Sequence, residues 1–537
     1  MHTKLKYSLL LILPALLFIT AHILKVVQGP YYLNFYDPSY VYLINALNLS
    51  QLSGYGVGHF DHPGTTAQVF GAIAIKILHL FSNNSQEIAN DVLSRPEIYL
   101  FFINKFFVVL NCIALFFLGF FTFKITGNFL ASILLQLSPF VSTEIFYGLI
   151  IVTPENILIF VSLIFICSLI YYLFRIKPGN NIPLKLIIVW GIICGAGLVT
   201  KLNFIPLVLI PFFIIKNLRR KFIFLIILLI TFLLLFSPAL SNFGNFLSWI
   251  EKLFINNGQY GSGEATIINK TTFLNNLSLI FIKDKLFLFS YIFCFATILF
   301  TRIKKISIKD NGKFQEKIRL LILIFISMNF QILIVAKHYA QYYMIPSFIL
   351  VSFTLFISSL IIYEHLKYYY VNVRLNYIII SLIIFISAFS LYKIIYSYYE
   401  GEGQRKEAED IVNLVNTKYS DNLVISGFGS ANYDCALTFA VQYAAGQEEY
   451  YNNILYRNQK SHIFYNPWIN RIYIPDDKDE FKKLIRDNKK FILQLNNFGS
   501  VEKFTGILES TFGKKIISVK QIFTNGNSES LYEINTD

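Results

Sequence analysis

Charged residues are scarce in this chain. Aspartate, glutamate, lysine and arginine make up 15% of its 537 residues, where an average soluble domain carries about a quarter. That shortage excludes an ordinary soluble globule. Cysteine is scarcer still: Cys112, Cys167, Cys194 and Cys294 lie in apolar runs, and Cys435 stands alone. Their spacing suits neither a disulfide framework nor a metal knuckle, so they read as small buried hydrophobes. A phosphate-cradling glycine loop is missing too. Gly427-Phe428-Gly429-Ser430 has no third spaced glycine and no Lys-Ser/Thr pair, and reads as a turn. No internal repeat is apparent, which counts against inverted-repeat transporter folds.

What is present is apolar. Hydrophobic residues make up 55% of the chain and aromatics 17%, with a mean hydropathy of +0.54. They fall in runs of about twenty, the length that crosses a hydrocarbon core as helix. The net charge of +14 does not call for nucleic acid. The basic residues sit in short loops between the runs, where the positive-inside rule puts them.

The runs predict eleven spans: 8–27, 97–123, 128–147, 154–174, 184–200, 203–216, 222–240, 285–301, 320–336, 341–363 and 375–397. Lys4 and Lys6 precede the first, and no small-residue cleavage site follows it, so it reads as an uncleaved span with a cytoplasmic N-terminus. The inner loops are basic, most of all the one with Arg302, Lys304, Lys305, Lys309, Lys313, Lys317 and Arg319. The first outer loop covers 28–96, and within it 39–52 and 66–81 read as helices lying along the interface. A second outer loop covers 241–283. The expected domains are a membrane domain over 1–399 and an outward α/β domain over 400–537. Glu400-Gly401-Glu402-Gly403 reads as a helix break before an amphipathic helix at 404–418. Strands are expected at 423–426 and 490–495, with a hairpin of 514–523 and 530–535.

A set of polar residues falls at one predicted face. The first outer loop holds Asp37, His59, Asp61 and His62. Glu155 follows Val152-Thr153-Pro154 at the outer start of a span, and Lys201 sits where a span turns outward. Lys337, His338, Tyr339, Tyr342 and Tyr343 mark a later outer turn. Each has a structural reading: Asp37-Pro38 and Thr153-Pro154-Glu155 as helix caps, Lys201 and Lys337 as snorkelling anchors, the tyrosines as an aromatic belt. Together, at one face, they read as a site, because polar groups beside a bilayer are costly without a task.

The set resembles the GT-C superfamily of membrane glycosyltransferases, which use polyprenyl-phosphate sugars. The likeness is carried by Asp37-Pro38-Ser39-Tyr40, by Thr153-Pro154-Glu155 and by Tyr342-Tyr343-Met344-Ile345-Pro346. His62-Pro63-Gly64-Thr65-Thr66 is similar to an element of protein O-mannosyltransferases, and Gly197-Leu198-Val199-Thr200-Lys201 to a turn of aminoarabinose and mannose transferases. The resemblance implies an integral protein of a bacterial inner membrane. It would transfer a hexosyl or pentosyl group, with inversion, to a lipid, glycan or protein acceptor. Asp37 would be the base, with Glu155, Asp61 and His62 beside it. Lys201, Lys337, His338 and Tyr343 would receive the donor phosphate. A divalent cation such as magnesium or manganese is left unassigned. A lipid-linked-sugar flippase or an O-antigen-type polymerase or ligase is the alternative. A transporter would place ionisable residues in mid-span, and a polymerase or ligase would be favoured by outer-loop arginines, of which Arg95 alone lies between spans.

Overall fold

Eight helices among the described residues are long and apolar enough to cross a membrane. They are Lys4–Gln28, Pro96–Thr126, Pro154–Arg175, Leu218–Ile255, Lys285–Ile303, Gly312–Lys337, Gln341–Lys367 and Leu375–Lys418. The computed structural model describes residues 3–51, 56–82, 86–258, 261–266, 268–303, 312–369, 374–460, 462–475 and 478–537. Lys304, Lys305 and Lys309 of the basic loop lie outside them.

The remaining three expected spans are modified. The run at 128–147 is broken: Phe129–Phe140 and Thr143–Ile150 meet at 69°. The cause is local. Pro139 cannot continue the helix ladder, and the Ser142 hydroxyl accepts from the Glu144 amide to cap a new helix. Leu184–Thr200 and Leu202–Ile214 are apolar but shorter than a full crossing. The break expected at 400–403 is absent, since Leu375–Lys418 is one helix of 44 residues. Two interior glycines cost about 1 kcal/mol each. Its far end is held by the turn at Asn525–Asn527, where the Gly526 amide donates to Glu407 at 2.7 Å and Asn527 to the Gln404 carbonyl at 2.7 Å.

The chain forms two compact units. One comprises Met1–His22, Phe60–Ala67 and Lys105–Ile395, and is helical. Its tightest helix pair is Leu184–Thr200 against Leu218–Phe236. Gly191 and Gly195, four apart, allow it: a Cβ on Gly195 would lie 2.6 Å from the Leu228 carbonyl oxygen.

The other unit comprises Ile23–His59, Gln68–Asn104 and Tyr396–Asp537. It contains a six-stranded sheet: β1 (Leu423–Gly427), β2 (Phe464–Asn466), β3 (Arg471–Tyr473), β4 (Lys490–Leu495), β5 (Ile516–Thr524) and β6 (Ser530–Thr536), in the order β3-β2-β1-β4-β6-β5. β1 runs parallel to β2 and β4, and the other pairs are antiparallel. Alternate residues Ile425, Phe491 and Leu493 turn into a core with Tyr465, Phe504 and Leu508. The helix Ser39–Ser50 corrects the interfacial expectation. It is buried nearly all round, packed on the helix Tyr433–Val441. Its Asn45 and Asn48 are not a wet face. Asn45 accepts from the Gly58 amide at 2.7 Å, and Asn48 donates to the Ala444 carbonyl.

Candidate active site

In the helical unit the chemistry gathers around Lys201. The helix Leu184–Thr200 ends there, with Lys201 in extended conformation before the next short turn. The segment 60–67 pairs with that end like a strand. His62 accepts from the Leu202 amide at 2.9 Å, Gly64 donates to the Val199 carbonyl at 3.1 Å, and Pro63 bridges Lys201. Thr66 and Thr200 share a hydroxyl hydrogen bond of 2.8 Å. His62 adopts φ 99°, a rare conformation for a residue with a Cβ. Its ring meets Trp249 edge to face at 5.7 Å.

Lys201 is only 4% exposed, and its ammonium forms a salt bridge with Glu155, itself 6% exposed. The Tyr342 and Tyr343 rings lie over the same ammonium, with centroids 4.7 and 4.8 Å from Nζ. Glu155 stands in the first turn of Pro154–Arg175, with proline at the first helical position. Asn156 fixes that turn by donating to the carbonyls of Gly148 and Ile151 at 2.6 and 2.8 Å. Tyr343 is fixed through its carbonyl, which accepts from Asn203 and Gln331. Three buried polar atoms beside these residues in sequence, Thr65 Oγ1, Thr153 Oγ1 and Asn203 Oδ1, have no hydrogen-bond partner among the described residues, nor does Trp249 Nε1.

Lys337 and His338 hold a different element. Lys337 donates to the Leu253 and Phe254 carbonyls at 2.8 and 2.7 Å, at the C-terminal end of the helix Phe243–Ile255. His338 places its two ring nitrogens 2.7 and 2.8 Å from the Gly258 and Leu253 carbonyl oxygens. Burial holds its pKa below the ordinary histidine value, the two carbonyls oppose that, and neighbouring Lys337 adds to it. Asp61 is half-buried and has no ion pair or hydrogen bond among the described residues.

Asp37 and His59 belong to the sheet-containing unit. The N-cap position of the helix that follows is Pro38, which has no side-chain cap bond. The adjoining Tyr36 hydroxyl accepts from the Gly429 amide at 2.8 Å, and Phe35 packs on Phe428 at 5.2 Å, so the turn before Asp37 is anchored to the end of β1. Two features of this unit have no counterpart in the sequence reading. Glu97 accepts from the Tyr31 and Tyr32 amides and from the Tyr40 hydroxyl at 2.7 Å, organising the first outer loop. Phe35, Phe428, Phe498 and Trp468, the last 67% exposed, form a ring cluster. A glutamate two residues after Arg95, opening a span, was the available signal for the first; the second joins residues too far apart in sequence to show.

No described residues gather three or more His, Cys, Asp or Glu as a metal-holding set, and the Glu155 carboxylate is already engaged by an ammonium. The lysine–glutamate pair is therefore not a donor set for a divalent cation.

Fold and site define an integral membrane protein of many helices, with a small sheet domain and a buried lysine–glutamate pair at a helix end. No family model and no curated protein matches the chain. It is similar to two solved structures of ArnT from Cupriavidus metallidurans, one bound to undecaprenyl phosphate and one in the apo state. Each is 11% identical over 97% of this chain and 97% of that chain, with a TM-score of 0.49.

Proposed function

We propose that this protein transfers a sugar from a polyprenyl-phosphate donor to an acceptor hydroxyl at the outer face of a bacterial inner membrane. The observation that carries the reading is the buried Lys201 ammonium, with Glu155 and two tyrosine rings around it. The order of motifs in the sequence supports it.

The acceptor oxygen gives its proton to a carboxylate and forms a bond to the anomeric carbon. The bond from that carbon to the phosphate oxygen breaks, and the electron pair leaves on the phosphate. Attack opposite the leaving group inverts the carbon. Asp37 is the base in this reading. Lys201 receives the charge developing on the phosphate, in a site dry enough for one cation to count. Glu155 holds the lysine in place and keeps it charged until the donor arrives. His62, locked against Lys201 through the strand-like pairing of its neighbour, and the half-buried Asp61 orient the acceptor. Lys337 and His338 fix the segment 253–258 through its backbone carbonyls. The buried ion pairs Lys201–Glu155 and Lys393–Asp284 involve residues at the ends of predicted spans, as an enzyme working at a membrane face requires and a mid-membrane carrier does not.

The test is Asp37→Asn, which keeps the shape and removes the proton acceptor. We expect normal expression and melting, with transfer reduced by about two to four orders of magnitude. Transfer is read by mass spectrometry of envelope glycans in cells with the wild-type or the variant protein. Glycans unchanged in the variant, while those of cells lacking the protein differ, would move the base to Asp61 or Glu155. Glycans unchanged in cells lacking the protein would refute the function itself.

A further inference from the structure

The helix Pro154–Arg175 carries Glu155 at one end. Seventeen residues on, about 26 Å along the axis, Tyr172 borders a cavity. It lies within the helical unit, among the loop after that helix, the segment Ile214–Asn217 and the first two turns of Gly312–Lys337, and has a volume of about 80 Å³. The lysine and arginine bias of these loops assigns this end to the cytoplasm.

The lining is strongly cationic. Lys177, Lys216, Arg220, Lys313 and Arg319 converge on it against one carboxylate, Glu316. That carboxylate is engaged already, accepting from the Tyr172 hydroxyl at 2.5 Å with Arg319 at 3.8 Å. The two guanidinium groups are set in place by backbone: Arg220 donates to the Ile182 carbonyl and Arg319 to that of Phe213, both at 2.6 Å. Each has further N–H donors to offer. The side chains of Lys177, Lys216 and Lys313 are exposed and have no ion pair or hydrogen bond among the described residues. The loops are also tightly fitted. A Cβ on Gly312 would stand 2.7 Å from Cβ of Pro178, so only glycine lets this helix start against the first loop.

Five like charges around one cavity repel one another, and the single carboxylate does not balance them. A bound anion does. The donors are of two kinds, planar forks and point charges, and both suit a tetrahedral oxyanion with several acceptor oxygens. The volume is well below the few hundred Å³ of a site for a drug-sized ligand. It takes one phosphate group and leaves the remainder of the ligand outside.

We propose that this cleft binds a phosphate group, presented by an anionic lipid headgroup of the adjoining leaflet or by a soluble phosphate. It is a second anion site, at the opposite ends of the helices that carry Glu155 and Lys201, and it does not depend on the transfer reaction.

The experiment uses the full-length protein in neutral detergent. Binding of dioctanoyl phosphatidylglycerol, inorganic phosphate and dioctanoylglycerol is followed by native mass spectrometry and by calorimetry. Two triple variants are compared with wild type: Lys177→Gln/Lys216→Gln/Lys313→Gln in the cleft, and Lys4→Gln/Lys6→Gln/Lys124→Gln at other helix ends of the same predicted side. Both should melt as wild type does. We expect saturable binding that weakens about tenfold in the cleft variant, from the loss of three exposed charge pairs, and hardly at all in the other. Saturation by phosphatidylglycerol with weak inorganic phosphate identifies a lipid headgroup, and saturation by inorganic phosphate a soluble ligand. The proposal is overturned by equal losses in the two triple variants, by no loss in the cleft variant, by dioctanoylglycerol binding as tightly as the phospholipid, or by no saturable binding of either phosphate probe.

Discussion

Replacing Lys201 separates its two roles, as partner of Glu155 and as receiver of phosphate. In Lys201→Met the thioether chain fills much of the lysine's volume, but Glu155 is left buried and unpaired. Removing one member of a buried ion pair is destabilising by about 3–5 kcal/mol. The double variant Lys201→Met/Glu155→Gln removes both charges at similar volume, and such replacements are close to neutral. It should therefore melt near wild type. Donor binding should behave differently. A phosphate charge about 4 Å from an ammonium, at an effective dielectric constant of about 20, gains about 4 kcal/mol. Desolvation of both groups takes back part of this. A net loss of about 3 kcal/mol corresponds to roughly a hundredfold rise in Kd. Calorimetric titration of the purified proteins with a polyprenyl phosphate measures it, with melting by intrinsic fluorescence alongside. Restored melting with a hundredfold weaker lipid binding supports the phosphate role. A double variant that binds the lipid as wild type does would falsify it, and would leave the pair as a structural clasp.

Two further predictions concern stability and orientation. Glu529 is buried, and both donors to it, the Ala431 amide and the Gln494 side chain, reach the same oxygen at 2.8 Å; burial raises its pKa from 4.5 to about 7. A raised carboxyl pKa means that the folded state holds the proton more tightly, so stability falls as pH rises from 4.5 through 7, by about 3 kcal/mol in all. Glu529→Gln keeps an oxygen for both donors and removes that slope, so the melting difference between variant and wild type should grow between pH 5 and pH 8. Parallel melting profiles would show that the carboxyl is not strained by burial. For orientation, Thr511→Cys and Lys177→Cys place thiols at exposed positions, whereas native Cys435 is buried and its pKa is pushed up to about 12. A membrane-impermeant maleimide should label position 511 and not 177 in spheroplasts, and the reverse pattern would invert the proposed sidedness.

The eleven apolar runs each coincide with helical structure because hydropathy over about twenty residues records the same free energy that places a helix in lipid. Hydropathy sums say nothing of direction, so the 69° bend at Pro139–Ser142 left no trace in them. The misread break at 400–403 has the opposite origin. Local propensity favoured a break, but docking of the Asn525–Asn527 turn on Gln404 and Glu407 outweighed two glycines. β5 and β6 were legible from alternation and an Asn-Gly turn. β2 and β3, three residues each, are too short to show a period.

For the site, sequence order named Glu155, Lys201, His62 and Tyr343, but not how they meet. Glu155 and Lys201 are 46 residues apart, and the strand-like pairing of Pro63 with Lys201 joins the first outer loop to a helix end far along the chain. Long-range pairs of this kind are set by packing and leave no local pattern. Lys337 and His338 show why residue type alone is not enough to assign a phosphate ligand. Backbone carbonyls at the end of the helix Phe243–Ile255 meet both side chains, and a helix C-terminus favours cations as a phosphate does. Lys201 is answered instead by one carboxylate and two ring faces. Because the charge of Lys337 already answers a helix end, Lys201 is the proposed phosphate ligand ahead of the other two.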